Sequence, residues 1–413
     1  MRAIVIGSGP AGLYASLTAS RHSKVTLIEE NEKLGGICVL YGCIPSKAMF
    51  HPVNLMGSLG KFRPKEVDLT ELQEIGREAA NRVSKGVEYL LESHGIEVIS
   101  GVAKLGNGEV RVGTQSYPYD SVVVATGTSK PKVQGTVASD ELPYIEFKGK
   151  RVIVIGGGAG GIEFAWFLSQ VGAEVHVVES SNSLLQGNDL DISNAVKSNF
   201  IRKGIKLHLG LKAVKTEGGK VELSDGSILE SDLTLFTFGR RPNVDGLGLE
   251  LNGKYLRVDS RMKTSSEAVY GAGDVTGTFT AHEAIHQGIV AGANAVGEKW
   301  EYNGSIVPKI IYSKPEIATI GKLEGKSVKV SYSSLPRAVA DRETEGFLKI
   351  YYEGENIVGG AIYGERAEEI ATIIGLVIQW KIRMEDLFRY HFPHPSYMEL
   401  IWEAVGRVLG YLN

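Results

Sequence analysis

An α/β fold is predicted by three observations on this 413-residue sequence. First, RAIVIGSGPAGLYASLTASRHSKVTLIEE (2–30) and RVIVIGGGAGGIEFAWFLSQVGAEVHVVES (151–180) superimpose with an offset of 149 and one inserted residue. Second, each copy leads to a turn-rich stretch, EVISGVAKLGNGEVRVGTQSYP or KLHLGLKAVKTEGGKVELSDGSIL, and then to an apolar strand closed by glycine, YDSVVVATG (119–127) or SDLTLFTFG (231–239). Third, the texture changes after residue 300, to strands such as FLKIYYE and NIVGGAIYG and an apolar helix over 369–380. The prediction is two Rossmann-like dinucleotide-binding domains with inserted β-meanders, plus a C-terminal α+β domain.

Each repeat reads as buried strand, G-x-G-x-x-G, helix, strand and acidic residue. Gly7, Gly9 and Gly12 in the first copy, and Gly156, Gly158 and Gly161 in the second, permit a tight turn, close approach to a pyrophosphate and close helix–strand packing. Glu29 and Glu179 end the second strands, where a carboxylate can accept ribose hydroxyls. Thr126 with Gly127, and Gly239, close the returning strands under each nucleotide. The expected boundaries are 1–148 for the first nucleotide domain, 149–264 for the second, 265–300 for a return to the first, and 301–413 for the last domain.

A composition of 43% hydrophobic and 23% charged residues describes a soluble globular chain of two or three domains. A net charge of −3 argues against nucleic-acid or anionic-membrane binding. No apolar run approaches the roughly 18 residues of a membrane span. The chain opens on MRAIVIGSG, already a strand, so no export signal is expected and a cytoplasmic location is. No metal ligand set is expected.

Both cysteines, Cys38 and Cys43, lie in GGICVLYGCIPSK (35–47). In a regular helix residues five apart are roughly 8 to 9 Å apart, against about 4.4 to 6.8 Å for a disulfide, so the segment must bend if they are to meet. Its glycines allow the bend, and Pro45 suits the first turn of a helix whose N-terminus lowers thiol pKa. Two buried small hydrophobes are the alternative reading. A disulfide in a reducing compartment would be a working one. Two dinucleotide sites flanking a cysteine pair imply electron transfer.

The chain resembles the flavin-dependent pyridine nucleotide–disulfide oxidoreductases (class I), and within them the dihydrolipoamide dehydrogenases. The resemblance spans essentially its whole length, through GSGPAG, GGICVLYGCIPSK, VVVATG, GGGAGGIE, FGRRPN, VYGAGDVTG, AHEAIHQG, YSKPEIATIG and HPSYME. It implies FAD in the first domain and NAD in the second, with Asp274 at the flavin's ribitol and Ala281 opening a helix toward its pyrimidine edge. It also implies that Cys43 lies against the flavin, that Cys38 exchanges with substrate, and that Lys47 and Glu163 pair beside the flavin's reactive nitrogen. From the residues alone, Lys47 can also be read as a solvated helix lysine and Glu163 as a first-turn acid. The last domain resembles the family's dimerisation domain, which implies a homodimer.

HPSYME resembles the family's catalytic motif, making His394 the acid–base and Glu399 its orienting partner. The spacing of Ser396 and Glu399 is also that of a capping box opening the final helix, YMELIWEAVGRVL. Both readings stand at this level.

The activity implied is oxidation of dihydrolipoyl thiols, through the disulfide and FAD, to reduce NAD. The partner would be free dihydrolipoamide or a lipoyl-bearing protein domain of the 2-oxoacid dehydrogenase or glycine cleavage type. An NADH-dependent reductase of another disulfide or a quinone is the alternative, and a flavin-binding subunit without turnover a further one. Phe392 stands where relatives active on lipoamide often carry histidine, with His391 one place earlier; Ser396 replaces the usual threonine, and the stretch around GKLEGKSVKV is short. These departures bear on the substrate. Cys43 is the last cysteine, which excludes relatives with a second, C-terminal thiol pair, and Glu179 favours NAD over NADP.

Overall fold

The structure is a computed structural model that describes residues 1–58, 68–147 and 149–412, so the end of the first expected segment, residue 148, lies outside the described residues. Short Val- and Ile-rich runs with no polar alternation form strands buried on both faces, which is the signature of parallel sheets. The first sheet has the order Val269–Gly271, Ser121–Val124, Arg2–Ile6, Lys24–Glu29, Glu97–Ser100, all parallel. Val5 pairs with Leu27 on one side and Val123 on the other, and all three are fully buried. The second sheet repeats the plan with Lys206–Leu209, Glu174–Glu179, Arg151–Ile155 and Leu233–Phe236.

Two features depart from the sequence reading. EVIS and KLHL, expected within the meanders, instead extend the parallel sheets as Glu97–Ser100 and Lys206–Leu209. Each follows a helix, Leu69–Ser93 or Leu190–Arg202, and a helical crossover returns the chain parallel. The antiparallel meanders are Ala103–Leu105, Glu109–Val112, Gln115–Pro118 and Ala213–Glu217, Lys220–Leu223, Ile228–Glu230. In addition, Val137–Ala138 joins the second sheet beside Leu233–Phe236, although it precedes residue 149.

The C-terminal block is an antiparallel sheet in the order Lys309–Ile311, Ile317–Gly321, Asn356–Tyr363, Phe347–Glu353, Lys326–Ser331. The apolar helix runs over Ala367–Gln379 and buries Ile370, Ile374 and Val377, while Leu376 and the neighbouring Trp380 stay exposed. This block is tied to the second sheet's body by Lys349, whose Nζ lies 3.1 Å from buried Asp189 and 3.0 Å from Asp191 at the start of Leu190–Arg202. Among the described residues no helix is long and apolar enough to cross a membrane.

Candidate active site

A cavity of about 940 Å³ opens at the C-terminal edge of the first sheet, where ligands of open parallel sheets bind. Its wall includes Gly7 and Gly9, Glu29, both cysteines, Thr126 with Gly127, Asp274 and Ala281. The loop is set by packing: a Cβ on Gly12 would stand 1.8 Å from the Gly7 carbonyl oxygen, and one on Gly161 would stand 1.8 Å from that of Gly156. Helix Pro10–Ala19 starts directly after Gly9, and helix Ala159–Gln170 directly after Gly158, so free N–H groups face where a pyrophosphate would lie. Gly239, at φ +73°, turns the chain after Leu233–Phe236.

The two acidic residues do the same local work in each repeat. Buried Glu29 accepts the Ser8 N–H at 2.8 Å and the Asn31 N–H at 2.9 Å. Glu179 accepts the Gly157 N–H at 2.6 Å and the Ser181 N–H at 2.7 Å. Burial pushes the Glu179 carboxyl up, but the Ser181 and Gly157 hydrogen bonds outweigh it and hold it below its usual value. Each carboxylate thus pins the second residue of its own glycine loop.

The cysteine segment bends as its spacing requires. Cys38 lies in the short helix Gly36–Leu40, the chain breaks at Tyr41 and Gly42, and Cys43 opens the helix Cys43–Ser58. Gly36 packs against the phosphate loop, where a Cβ would come within 2.7 Å of Gly9 Cα. Both thiols are free and half-buried. A hydrogen bond from the Cys38 thiol lowers Cys43 to about 7; burial opposes this and Lys47 assists it. The same bond, with burial, pushes Cys38 well above its ordinary value. The thiol at the helix entrance, Cys43, is thus the acidified one, chiefly through its Cys38 neighbour.

Lys47, one turn along that helix, lies 2.9 Å from Glu163 and 4.5 Å from the centre of the Tyr312 ring. Glu163 is only 8% exposed, and its other oxygen accepts the Tyr312 N–H at 2.8 Å. Lys47 is thus not the solvated helix lysine that the sequence also allowed, nor is Glu163 a first-turn acid, since it is buried beyond the first turn of Ala159–Gln170.

His394 and Glu399 meet in the C-terminal block, with Nδ1 2.8 Å from Oε1. Glu399 Oε2 accepts the Ser396 N–H at 2.8 Å, so half of a capping box forms as well. The other half does not: the final helix begins at Glu399 with tight first turns, Leu400 N–H to Tyr397 and Ile401 N–H to Met398, and the Ser396 hydroxyl is buried with no partner. The His394 side chain is 66% exposed and does not line the cavity of its own chain's cysteines.

Several wall residues were missed in the sequence. Lys130 pairs with Asp140 at 3.1 Å, and Arg240 reaches Asp140 at 3.4 Å and Asp274 at 3.9 Å. The sequence signal for Lys130 was its position after the ATG turn, and for Arg240 its place in FGRRPN directly after Gly239. Tyr144 and Tyr312 lie outside that wall; Tyr144 carried no signal, because its partner is remote in sequence, and Tyr312 only opened the YSKPEIATIG stretch.

A phosphate loop, a cysteine pair in the same cavity and a second nucleotide module define a dinucleotide-dependent disulfide oxidoreductase. Residues 1–288 match the family model described as pyridine nucleotide-disulphide oxidoreductase, and residues 307–405 match that family's dimerisation domain. The chain belongs to this family. It is 30% identical to the dihydrolipoyl dehydrogenase of Chlorobaculum tepidum over 97% of its own length and 95% of the relative's. It is 31% identical to that of Staphylococcus aureus, over 99% and 96%. Among solved structures, LpdA of Mycobacterium tuberculosis superimposes with a TM-score of 0.92 at 26% identity, covering 99% of each chain. The flavoprotein disulfide reductase RclA of Escherichia coli shares the fold, with a TM-score of 0.87 at 22% identity, covering 99% of this chain and 100% of that one.

The protein is an oxidoreductase that uses FAD and NAD, and its dimerisation domain makes it a homodimer. The first cavity fits FAD. Its glycine loop, Glu29, both cysteines and Asp274 line one cavity. Burial raises the Asp274 carboxyl, a cost that a ligand hydroxyl donating to it would offset.

Proposed function

We propose that the protein is a dihydrolipoamide dehydrogenase in which Cys38 and Cys43 are the redox pair and His394 of one subunit, oriented by Glu399, serves the pair of the other. The observation that carries this reading is the placement of the pair: Cys38 and Cys43 line one cavity with the first glycine loop, and Lys47, one turn beyond Cys43, lies 2.9 Å from Glu163. FAD, when bound, supplies a two-electron acceptor for the reduced pair and exchanges hydride with NAD.

The remaining steps use the chain's own residues. Starting from the Cys38–Cys43 disulfide, His394 Nε2, free because Nδ1–H is given to Glu399, takes the proton of one dihydrolipoyl thiol. The resulting thiolate attacks the Cys38 sulfur; the new S–S bond forms as the Cys38–Cys43 bond breaks, and Cys43 leaves as a thiolate. The second substrate thiol then closes the lipoyl ring by attacking the mixed disulfide, and Cys38 leaves and takes up the proton. The substrate is oxidised and the pair reduced by two electrons. Cys38 as thiol and Cys43 as acidified partner is the arrangement the pair adopts here.

Lys47 and Glu163 would hold the electrostatics of the Cys43 side, and Glu179 would read the ribose hydroxyl of NAD. Support for lipoamide comes from the curated relatives, which are named as dihydrolipoyl dehydrogenases. The physiological partner is then a lipoyl-bearing protein domain, and the cytoplasm suits a pair that cycles through the dithiol. Steady-state turnover with NADH and lipoamide tests the proposal. Negligible lipoamide turnover with rapid reduction of a quinone or another disulfide would instead favour the alternative reductase, whose supporting feature is the exposed aromatic side chain of Tyr41 between the cysteines.

A further inference from the structure

The helix that carries Cys38 is only five residues long, Gly36–Leu40, and such a helix leaves its last carbonyls without partners inside it. Ile37 O is taken twice, by the N–H groups of Tyr41 and Gly42. Leu40 O is taken from outside: Tyr144, 104 positions away, donates its hydroxyl to it at 2.5 Å. The Tyr144 ring also meets Tyr41 edge-on, with centroids 5.5 Å apart. The two rings are 44% and 43% exposed, so ordinary burial does not explain their placement.

Tyr144 is itself held from behind. It ends the segment Ser139–Tyr144, whose carbonyls are gripped by the long helix Leu69–Ser93. Gln73 donates to Leu142 O at 2.6 Å and Ile145 O at 2.9 Å, and Arg77 donates to Pro143 O at 2.8 Å. A braced phenol is thus fixed to the backbone two residues beyond a cysteine whose thiol must stay in reach of Cys43.

We propose that Tyr144 is a positioning residue for the redox pair, holding the turn that carries Cys38 through the Leu40 carbonyl. The Cys38 thiol acidifies Cys43 only while it points at that sulfur, so a turn that drifts weakens the effect. The charged and titratable groups acting on Cys43 are Cys38, Lys47 and Glu163, and those acting on Tyr144 are Tyr41 and Arg77. None of these changes in Tyr144→Phe, which removes the hydroxyl and keeps the ring contact with Tyr41.

The test is made on FAD-loaded dimer, reduced with dithiothreitol, with Tyr144→Phe and Tyr144→Leu beside the parent. Cys43 is titrated by its rate of alkylation with iodoacetamide against pH. We expect its midpoint to rise in Tyr144→Phe and the rate at pH 7 to fall about threefold to tenfold, the range covered by one net hydrogen bond. The kcat with NADH and a small disulfide should fall while the KM for NADH stays. Tyr144→Leu should be no milder. A Tyr144→Phe protein that matches the parent in midpoint and in kcat overturns the proposal, and so does an effect seen only in Tyr144→Leu, which would assign the role to ring packing. The proposal rests on Cys38 and Cys43 being the redox pair and fails separately from it: a parent enzyme whose two thiols do not interconvert reversibly with a disulfide sinks that assignment whatever Tyr144 does.

Discussion

Glu399→Gln sets the two roles of one carboxylate against each other. Glu399 accepts from His394 Nδ1 with one oxygen and from the Ser396 N–H with the other, both at 2.8 Å. An amide of the same shape has one acceptor. If its oxygen keeps Ser396, its NH₂ faces Nδ1, forces the imidazole proton onto Nε2 and removes the free base. If the amide flips, the Ser396 N–H loses its partner. A hydrogen bond to a charged group is worth about 1.5 to 3 kcal/mol, and the exposure of His394 points to the lower end, about 1.5 kcal/mol or roughly a tenfold loss of kcat. In the flipped arrangement the rate is spared, and the lost bond at the helix start costs about 0.5 to 2 kcal/mol of stability instead. The assay is kcat for lipoamide reduction, with denaturant unfolding, in Glu399→Gln, His394→Gln and the double variant. Because Glu399 is taken to act through His394, adding Glu399→Gln to His394→Gln should cost no further rate. Multiplied rate losses in the double variant would refute this logic, and full turnover with lost stability in Glu399→Gln would reduce the residue to a cap.

Three further outcomes follow from the site. In the reduced protein the fast-alkylating thiol should titrate at about 7, fading below that pH as Cys43 protonates; Lys47→Met should move the midpoint up and Glu163→Gln should move it down, since the lysine lowers and the carboxylate raises the Cys43 value. Two unmoved midpoints would remove the ion pair from the account. Glu179 should favour NAD over NADP by at least roughly tenfold in kcat/KM: like charges about 4 Å apart cost on the order of 4 kcal/mol at an effective dielectric of 20, and each tenfold needs about 1.4 kcal/mol. Equal kcat/KM for the two cofactors contradicts that role. His394→Gln should lower lipoamide turnover about 100- to 10 000-fold, and mixing it with Cys38→Ser subunits under exchange should restore one site per heterodimer; proven exchange without recovery rules out a histidine acting in trans.

What the sequence made legible was local or repeated. The glycine loops, their closing acids and the returning strands sit at fixed short offsets, so a period of 149 exposed them twice over. The bend between Cys38 and Cys43 was legible because five residues of helix cannot bring two sulfurs together. The Lys47–Glu163 pair spans 116 positions and is silent in either local context; only the resemblance suggested it. The S-x-x-E box was half right, because the tight turn at Tyr397–Ile401 moves the helix start past the serine. Two-residue strands such as Val137–Ala138 have no period to detect, and Tyr144, Tyr312 and Arg240 act on partners about 100 or more positions away or across two sheets.

The edge strand Val269–Gly271 pairs with Val122–Val124, roughly 150 residues earlier. At about 5 to 20 residues per second of synthesis, the first sheet therefore waits roughly 7 to 30 s for its last strand while the whole second sheet emerges. During that interval the fully buried row Val122, Val123 and Val124 is an open apolar edge on the ribosome, ready to pair with any free strand. Truncations ending before residue 269 preserve that state permanently, so fragments comprising both glycine loops but lacking the return strand should collect in inclusion bodies, whereas the full chain closes its own edge.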